Sequence, residues 1–494
     1  MTQGLKNGNV LPMDSFALVI FGATGNLAQK YLLQVLYDMA EKGLLPEKMS
    51  IIGVARKVMN NDDFKKYVHE VLHRRNLHHT HPIKEEVFED LAKRLHYIDG
   101  HLDNPEFYKR LNDFLNKLTK SGNNCDNRIY YLATYPDLYS HVFENLNSQK
   151  MNKQTNGFVR LMIEKPIGTN LQSARALNNL LLKYFSEDQI YRLDHYLGKE
   201  TIQNILTFRF SNDIFEPMIN KDYIDHIQIT ASEDFGIGSR GGYYDAVGAL
   251  KDVGQNHQLQ MLAFATMDCP VEFSSKAVTT QRLKILQSLQ PLAQKTVFGQ
   301  YEDYRLEKNV DPKSEIETFY AIKTYIKSER FKNVPIYIRA GKKLKQTVTE
   351  ISIVFKNPPS RLFHGLTSGD EPNVLIYRIQ PNEGIVLKIV TKKPGHKLEL
   401  EDEYMQFCYK LDPHSHYIPD PYERLLTDTI RGDKTFFNTA EEVEAQWSFI
   451  DPLIKDKPKA HSYKQGSWGP KEADELIEAD GRKWLEPSMD FCRI

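Results

Sequence analysis

The first 200 residues alternate between short runs rich in β-branched and other apolar residues and amphipathic stretches with helical spacing. Strands separated by helices need crossover connections, so this alternation predicts a mainly parallel sheet. Six such strands predict a Rossmann-type doubly wound α/β domain that binds a dinucleotide. The predicted strands cover residues 16–21, 49–55, 95–98, 128–133, 159–163 and 190–193.

After about residue 200 the pattern changes to longer alternating segments joined by loops, which predicts a mainly antiparallel sheet with one solvated face. The two patterns divide the chain into an α/β domain, 1–200, and a larger α+β domain, 201–494. In the larger domain we expect strands at 226–231, 335–339, 350–355, 374–379, 384–390 and 398–400, and helices at 248–264, 422–430 and 441–450.

Charge and targeting signals favour a soluble cytoplasmic protein that binds neither nucleic acid nor membranes. Sixty-four Lys and Arg oppose 65 Asp and Glu, which excludes the overall basic field of a general nucleic-acid binder. The N-terminus lacks a secretory signal pattern, and no apolar run approaches the roughly 20 residues of a membrane span. The four cysteines form no CxxC pair, a pattern that argues against a disulfide framework and a zinc site and is typical of a reducing cytosol.

A histidine-rich stretch, LHRRNLHHTH, contains His73, His78, His79 and His81 without a carboxylate or cysteine at ligand spacing. We interpret it as solvated surface. A metal site is the weaker alternative, because ligand sets normally come with a fixed second shell. No bound metal is therefore expected.

The stretch ALVIFGATGNLA predicts a phosphate-binding turn between the first strand and a helix that starts near Asn26. Gly22 permits a tight turn, Gly25 lets a pyrophosphate approach the backbone, and the free N–H groups of the helix face that anion. The strict GxGxxG fingerprint is absent, so an ordinary strand–turn–helix corner remains the alternative.

The end of the second strand favours NADP over NAD. An NAD-binding domain carries Asp or Glu there for the ribose 2′-hydroxyl, whereas this chain has Arg56 and Lys57. A guanidinium binds a 2′-phosphate with a charge-assisted fork. Two exposed basic residues that only aid solubility are the alternative.

Three further stretches concentrate residues suited to catalysis. Lys165 follows the fifth strand, and His195 and Lys199 lie four apart, a helical spacing that would let both hold one phosphate. Asp252 and His257 lie five apart on a predicted helix, a poor spacing for one helix face. Hydride transfer from an alcohol needs a base near neutral pKa, for which histidine is suited, and a carboxylate to orient it. Each residue alone also has a purely structural interpretation.

These motifs together resemble the glucose-6-phosphate dehydrogenase family: GATGNLAQK, EKPIG, RLDHYLGKE and DVGQNH, followed downstream by IRAGKKL, DPYERLLTDTIRGD and YKQGSWGP. The resemblance spans residues 16–470. It implies oxidation of glucose 6-phosphate at C1 to 6-phosphogluconolactone with NADP, in a homodimer or homotetramer that associates through the sheet of the larger domain.

The resemblance also implies residue roles. His257 is similar to the general base, with Asp194 as its orienting carboxylate. The implied substrate-binding residues are His195, Tyr196 and Lys199 for the phosphate, and Lys165, Glu233, Asp252 and Lys342 for the rest of the sugar phosphate. The implied cofactor-binding residues are Gly22, Thr24, Gly25, Leu27, Arg56, Tyr139 and Lys165.

Some positions depart from the family pattern. Gln29 and Thr347 stand where members usually have basic residues, so Lys343 or Lys345 is a candidate to replace the second of these contacts. Two other functions compete with a glucose-6-phosphate dehydrogenase. One is a sugar dehydrogenase of the glucose–fructose oxidoreductase type, which lacks RxDHYLGKE. The other is a catalytically silent dinucleotide sensor, which would be expected to lose Asp194, Lys199 or His257.

Overall fold

A computed structural model describes residues 15–74, 82–122, 126–357, 372–409, 417–455 and 457–492. The chain forms two compact units, and both are discontinuous in sequence. The first comprises Met1–Gly168, Arg175–Gly198 and Pro419–Ala440, and the second comprises Thr169–Ala174, Lys199–Ile418 and Glu441–Ile494. The domain boundary at residue 200 stays a prediction.

The first unit contains a six-stranded sheet in the order β3-β2-β1-β4-β5-β6, with every pair parallel. This is the strand order of a doubly wound dinucleotide-binding fold, so the predicted fold class is confirmed. The strands are β1 (Ala17–Phe21), β2 (Ser50–Ala55), β3 (Leu95–Asp99), β4 (Arg128–Leu132), β5 (Val159–Ile163) and β6 (Ile190–Arg192). β1 and β2 are buried at every position, as expected for strands covered on both faces.

The second unit contains a nine-stranded sheet in the order β14-β13-β12-β11-β7-β10-β9-β8-β15. Only the pairs β7–β10 and β8–β15 are parallel, which confirms the mainly antiparallel sheet. The strands are β7 (Ile224–Ser232), β8 (Thr296–Tyr301), β9 (Phe319–Thr324), β10 (Ile336–Gly341), β11 (Val348–Phe355), β12 (Val374–Gln380), β13 (Gly384–Lys392), β14 (Leu400–Cys408) and β15 (His461–Tyr463).

The prediction of one solvated sheet face was wrong for the centre of this sheet. β9 and β10 are buried at every position, and β7 at all but one. Helices of the same unit pack against these strands, which explains burial on both faces. The β13–β14 end is open to solvent: six of the nine β14 residues are exposed, two are half-buried, and Cys408 alone is buried.

Thirteen α-helices connect the strands of the two units within the described residues. They are α1 (Leu33–Glu41), α2 (Asn61–His73), α3 (Glu85–Arg94), α4 (Pro105–Lys120), α5 (Tyr139–Ser148), α6 (Leu171–Tyr184), α7 (Glu200–Phe210), α8 (Gly241–Ala249), α9 (Leu259–Thr266), α10 (Ser275–Ser288), α11 (Pro421–Arg431), α12 (Ala440–Lys455) and α13 (Lys471–Glu478). Two π-helical segments, Ala28–Leu32 and Leu250–Gln258, precede α1 and α9. No helix among the described residues is both long and apolar enough to cross a membrane.

The expectation that the cysteines form no disulfide was wrong. Cys408 at the end of β14 is bonded to Cys492, 84 residues further along, with Cα atoms 5.2 Å apart. No short-range motif marks this pair, because the two residues meet only through the fold. Cys269 is a free, exposed cysteine, and Cys125 lies outside the described residues.

Candidate active site

The phosphate-binding turn follows β1 in the first unit, and helical backbone begins at Asn26, as predicted. Gly22 has a φ of +94°, and a Cβ there would overlap the carbonyl oxygen of Ala133, so the turn requires glycine. The backbone N–H groups of Gly22 and Ala23 donate to the carbonyl of Val54 at 2.9 and 3.0 Å. The turn is thereby fixed against the end of β2, in a shape that lets a pyrophosphate approach the helix N-terminus.

Two side chains hold the carbonyl of Thr24 in this turn. The Gln29 amide donates to it at 2.8 Å, and the Tyr67 hydroxyl donates at 3.4 Å. Gln29, which replaces a basic residue of the family pattern, therefore stabilises the turn from within.

Arg56 and Lys57 directly follow β2, and both side chains are exposed. The Lys57 ammonium lies 5.8 Å from the centre of the Tyr67 ring. Within the described parts of the chain, nothing pairs with the Arg56 guanidinium. Its five donors are available to an anionic ligand at this edge of the sheet.

Glu164 and Lys165 follow β5, next to the end of β4. The Tyr131 hydroxyl donates to Glu164 Oε1 at 2.5 Å. Burial raises the pKa of Glu164 to about 7, and the hydrogen bond from Tyr131 and the charge of Lys165 oppose this rise. Tyr139, at the start of α5, is buried, and burial raises its pKa well above the usual range. The peptide bond between Lys165 and Pro166 is cis.

The segment after β6 carries Asp194, His195 and Tyr196. Asp194 is buried, and its Oδ1 accepts the backbone N–H of Tyr196 at 3.0 Å. The His195 ring lies parallel to that of Tyr422, with centroids 6.1 Å apart, and contacts Tyr196 edge-on at 4.9 Å. This stacking gives the imidazole a defined orientation.

The prediction that His195 and Lys199 share one helical turn was wrong. A 3₁₀ turn ends at Gly198, and Lys199 has extended backbone, φ −72° and ψ 139°, as the N-cap of α7. Gly198 packs against the backbone of Pro421, where a Cβ would not fit, so this sharp change of direction needs glycine. The α-helical i, i+4 geometry therefore does not apply to this pair.

In the second unit, Glu233 and Lys342 follow the neighbouring parallel strands β7 and β10. Their side chains form an ion pair. Lys342 is largely buried, and its ammonium lies 5.2 Å from the ring centre of Phe235 and 5.6 Å from that of Tyr244. Desolvation of a largely buried ion pair is unfavourable in free energy. Hydrogen bonds to a polar ligand would offset part of that penalty.

Thr347, which stands where family members usually have a basic residue, forms hydrogen bonds with Asp234. Its hydroxyl donates to Asp234 Oδ1 at 2.6 Å, and it accepts the Asp234 backbone N–H at 3.0 Å. Lys345 pairs with Glu486 at 2.9 Å. The contribution of Lys343 or Lys345 to ligand binding stays a prediction.

Asp252 and His257 lie on the π-helical segment Leu250–Gln258, and both are buried. A π-helix is bonded from i to i+5, so residues five apart lie closer to one face than they would on an α-helix. The unfavourable spacing inferred from the sequence came from assuming an α-helix. Gly248, with φ 77°, interrupts the helical backbone near the end of α8, just before this segment, and a Cβ there would collide with Glu317.

Tyr244, which lies on α8, was not among the residues predicted from the sequence. Its hydroxyl is buried and has no hydrogen-bond partner among the described residues. Burial, and the nearby carboxylates of Asp252 and Glu233, keep its pKa well above the usual range. An unpaired buried hydroxyl is expected to bind a ligand or water. The sequence signal was present, since GGYYDAVGAL is separated from DVGQNH only by Lys251.

Each unit thus collects its own group of predicted residues. The first places the cofactor candidates after β1, β2, β4 and β5, and Asp194, His195 and Tyr196 after β6. The second places Glu233, Asp252, His257 and Lys342 at strand ends and on the π-helical segment, and Lys199 at the start of α7.

Two family models match consecutive parts of the chain. "Glucose-6-phosphate dehydrogenase, NAD binding domain" covers residues 19–204, and "Glucose-6-phosphate dehydrogenase, C-terminal domain" covers residues 206–485.

Curated relatives match over nearly their full length. A glucose-6-phosphate 1-dehydrogenase from Chlamydia muridarum is 39% identical, with 94% of this chain and 96% of the relative covered. One from Treponema pallidum is 38% identical, with 99% of both chains covered.

Two solved structures are also similar. The crystal structure of glucose-6-phosphate 1-dehydrogenase from Mycobacterium avium has a TM-score of 0.86 and 33% identity, covering 97% of this chain and 99% of its own. A glucose-6-phosphate dehydrogenase in complex with its substrate glucose-6-phosphate has a TM-score of 0.88 and 32% identity, covering 97% and 100%.

Proposed function

The chain belongs to the glucose-6-phosphate dehydrogenase family, and from that membership we propose which residues carry its reaction. The enzyme oxidises D-glucose 6-phosphate at C1 to 6-phospho-D-glucono-1,5-lactone, with hydride transfer to a nicotinamide cofactor, the first step of the oxidative pentose phosphate pathway. The observation that carries this conclusion is the match of both family models, which together span residues 19–485 but for one position. The sugar dehydrogenase of the glucose–fructose oxidoreductase type is disfavoured by the same match.

We propose that His257 is the general base. Oxidation at C1 requires loss of the hydroxyl proton as hydride leaves the carbon, and an imidazole accepts a proton near neutral pH. The bound nicotinamide supplies the hydride acceptor. Asp194 is assigned as the carboxylate that orients this base, the role a carboxylate plays beside a catalytic histidine. The burial of both side chains supports these roles, because a buried base is fixed in orientation and shielded from water.

The substrate phosphate is assigned to His195, Tyr196 and Lys199, and the remaining polar groups of the sugar to Lys165, Glu233, Asp252 and Lys342. A dianionic phosphate is bound most strongly by charged donors such as the Lys199 ammonium, and the ring N–H of His195 offers a further donor. The largely buried ion pair between Glu233 and Lys342 supports the assignment, since it offers both acceptor and donor atoms to sugar hydroxyls.

The cofactor is assigned as NADP. Its pyrophosphate is expected at the turn formed by Gly22, Thr24, Gly25 and Leu27, and its 2′-phosphate at Arg56. The tight turn at Gly22 supports the pyrophosphate site, and the exposed guanidinium of Arg56 supports NADP. Tyr139 and Lys165 complete the proposed cofactor residues.

We further propose that the enzyme is a cytoplasmic homodimer or homotetramer that associates through the open end of the nine-stranded sheet. β14 is an edge strand with exposed apolar side chains at Tyr404, Met405 and Phe407. Such an edge is normally covered by another chain or protected by charge. Light scattering of the purified enzyme, with Met405→Lys as the disrupting variant, tests this association.

Steady-state formation of reduced nicotinamide tests the function. We expect turnover with glucose 6-phosphate and NADP, and a much lower kcat/KM with unphosphorylated glucose. Equal rates with the two sugars would contradict the phosphate assignment. The ratio of kcat/KM for NADP and NAD tests the cofactor, and a ratio below one would overturn the choice of NADP.

A further inference from the structure

Two imidazoles and one carboxylate converge on the surface of the first unit, at the end of α2. His69 and His73 lie four apart on this helix, and Glu85 is the first residue of α3. His69 Nε2 lies 3.1 and 2.9 Å from the two Glu85 oxygens, and His73 Nε2 lies 3.8 Å from Oε1. All three groups offer a ligand atom within 4.8 Å of the others.

The second ring nitrogen of His73 is already occupied. Its Nδ1 lies 2.9 Å from the backbone carbonyl of His69, to which it donates as an N–H. The neutral ring then carries its lone pair on Nε2, the nitrogen that faces Glu85. Histidines that bind metals almost always donate the other ring nitrogen to a carbonyl or carboxylate in this way.

The separations suit one ion of the size of zinc. Metal–nitrogen and metal–oxygen bonds of about 2.0–2.2 Å in tetrahedral geometry place neighbouring ligand atoms roughly 3.3–3.6 Å apart. The shortest distances from Glu85 to His69 Nε2 and to His73 Nε2, 2.9 and 3.8 Å, bracket that value, and the two imidazoles offer nitrogens within 4.8 Å of each other. A donor set of two imidazoles and a carboxylate binds Zn²⁺ in preference to Mg²⁺ or Ca²⁺, because the latter two ions favour oxygen ligands.

We propose that His69, His73 and Glu85 form a binding site for one divalent transition-metal ion of the zinc type, with water as the fourth ligand. The side chains are 34%, 50% and 63% exposed, so water reaches the site readily. The ion would link the end of α2 to the start of α3 and stabilise that helix pair by binding only the folded state. The site departs from the expectation that the chain binds no metal, because the carboxylate comes from Glu85 on the next helix and not from the histidine-rich stretch itself. It is independent of the proposed dehydrogenase function.

His78, His79 and His81 follow His73 in the sequence, lie outside the described residues, and are a second set of imidazoles that can take up zinc. The experiment must separate the two sets. Zinc chloride is titrated calorimetrically into the tag-free chain at neutral pH, in a Cys269→Ser background that removes the exposed thiol. We expect one ion per chain, a higher thermal midpoint with zinc, and a tetrahedral visible spectrum with Co²⁺.

The variants His69→Gln, His73→Gln and Glu85→Gln should each weaken zinc binding by about tenfold or more. The triple variant His78→Gln/His79→Gln/His81→Gln and the neighbouring Glu86→Gln should bind as the parent does. No saturable binding, or binding lost only in the triple variant, would overturn the proposal. A Glu85→Gln variant that lowers the thermal midpoint without changing zinc affinity would show that the three residues form only an ion-pair cluster.

Discussion

The phenol of Tyr131 donates a 2.5 Å hydrogen bond to Oε1 of Glu164, directly before the proposed substrate and cofactor residue Lys165. Burial raises the pKa of Glu164 from 4.5 to about 7 in the folded enzyme. The folded state therefore binds a proton more tightly than the unfolded chain does. This group's contribution to stability is full below pH 4.5 and is lost as the pH rises through about 7.

Glu164→Gln should remove this dependence while keeping the side chain's shape. As the pH is raised from 5 to 8, the free energy of unfolding of the variant should increase relative to that of the parent by up to about 3 kcal/mol. Urea denaturation at both pH values measures the difference. Tyr131→Phe is the matched control, because loss of the donor should move the pKa of Glu164 further upward. A stability difference that does not change with pH would contradict the assignment.

His257→Asn should lower kcat by about 10²–10⁴-fold with little change in the KM for glucose 6-phosphate, because a general base acts chiefly in the transition state. Steady-state kinetics with circular dichroism as a folding control checks this. Asp194→Asn, which keeps the size but removes the charge, should also lower kcat. Near-normal turnover of His257→Asn would show that another group is the base.

Lys199→Ala should raise the KM for glucose 6-phosphate by about 10- to 100-fold, as expected for losing one charge-assisted hydrogen bond to phosphate. Free glucose provides the internal control, since it has no phosphate for Lys199 to contact. Its kcat/KM should be unchanged in the variant. An equal loss with both sugars would indicate that Lys199 supports the fold instead, as the N-cap residue of α7.

Arg56→Ala should reduce kcat/KM for NADP by about 10- to 100-fold and leave that for NAD nearly unchanged. The side chain is exposed and has no partner within the described residues, so its removal should not disturb the turn after β1. Lys57→Ala gives a graded comparison at the neighbouring position. A parallel loss with both cofactors would place the 2′-phosphate elsewhere.

The N-terminal sheet could be predicted closely because its signals are local. Runs of β-branched residues mark strands buried on both faces, and all six predicted strands end within one residue of the observed bounds. β8, β9 and β15 were missed because alternating strands were expected in this part of the chain. β9 is buried throughout and shows no alternation, and the three-residue β15 exists only through its pairing with β8.

The site was predictable in its residue types but not in its local geometry. The sequence identified Asp252 and His257, but the π-helical backbone that brings them toward one face depends on tertiary packing around Gly248 and Glu317. Lys199 was assigned to a helical turn because its spacing from His195 is four. The contact of Gly198 with Pro421, more than 200 residues away, ends that turn first.

The disulfide between Cys408 and Cys492 joins two residues that only the fold brings together. Its contribution to the stability of the folded state can be measured. The disulfide closes a loop of 84 residues, for which the chain-entropy model gives a stabilisation of about 4.6 kcal/mol. A Cys408→Ser/Cys492→Ser variant should therefore unfold at a lower temperature than the parent under oxidising conditions. Excess dithiothreitol should bring the two thermal midpoints together, and Cys269→Ser, which changes only the free exposed thiol, should behave as the parent in both conditions. If dithiothreitol leaves the parent's thermal midpoint unchanged, the two cysteines are reduced in the native enzyme, as expected from a cytoplasmic location.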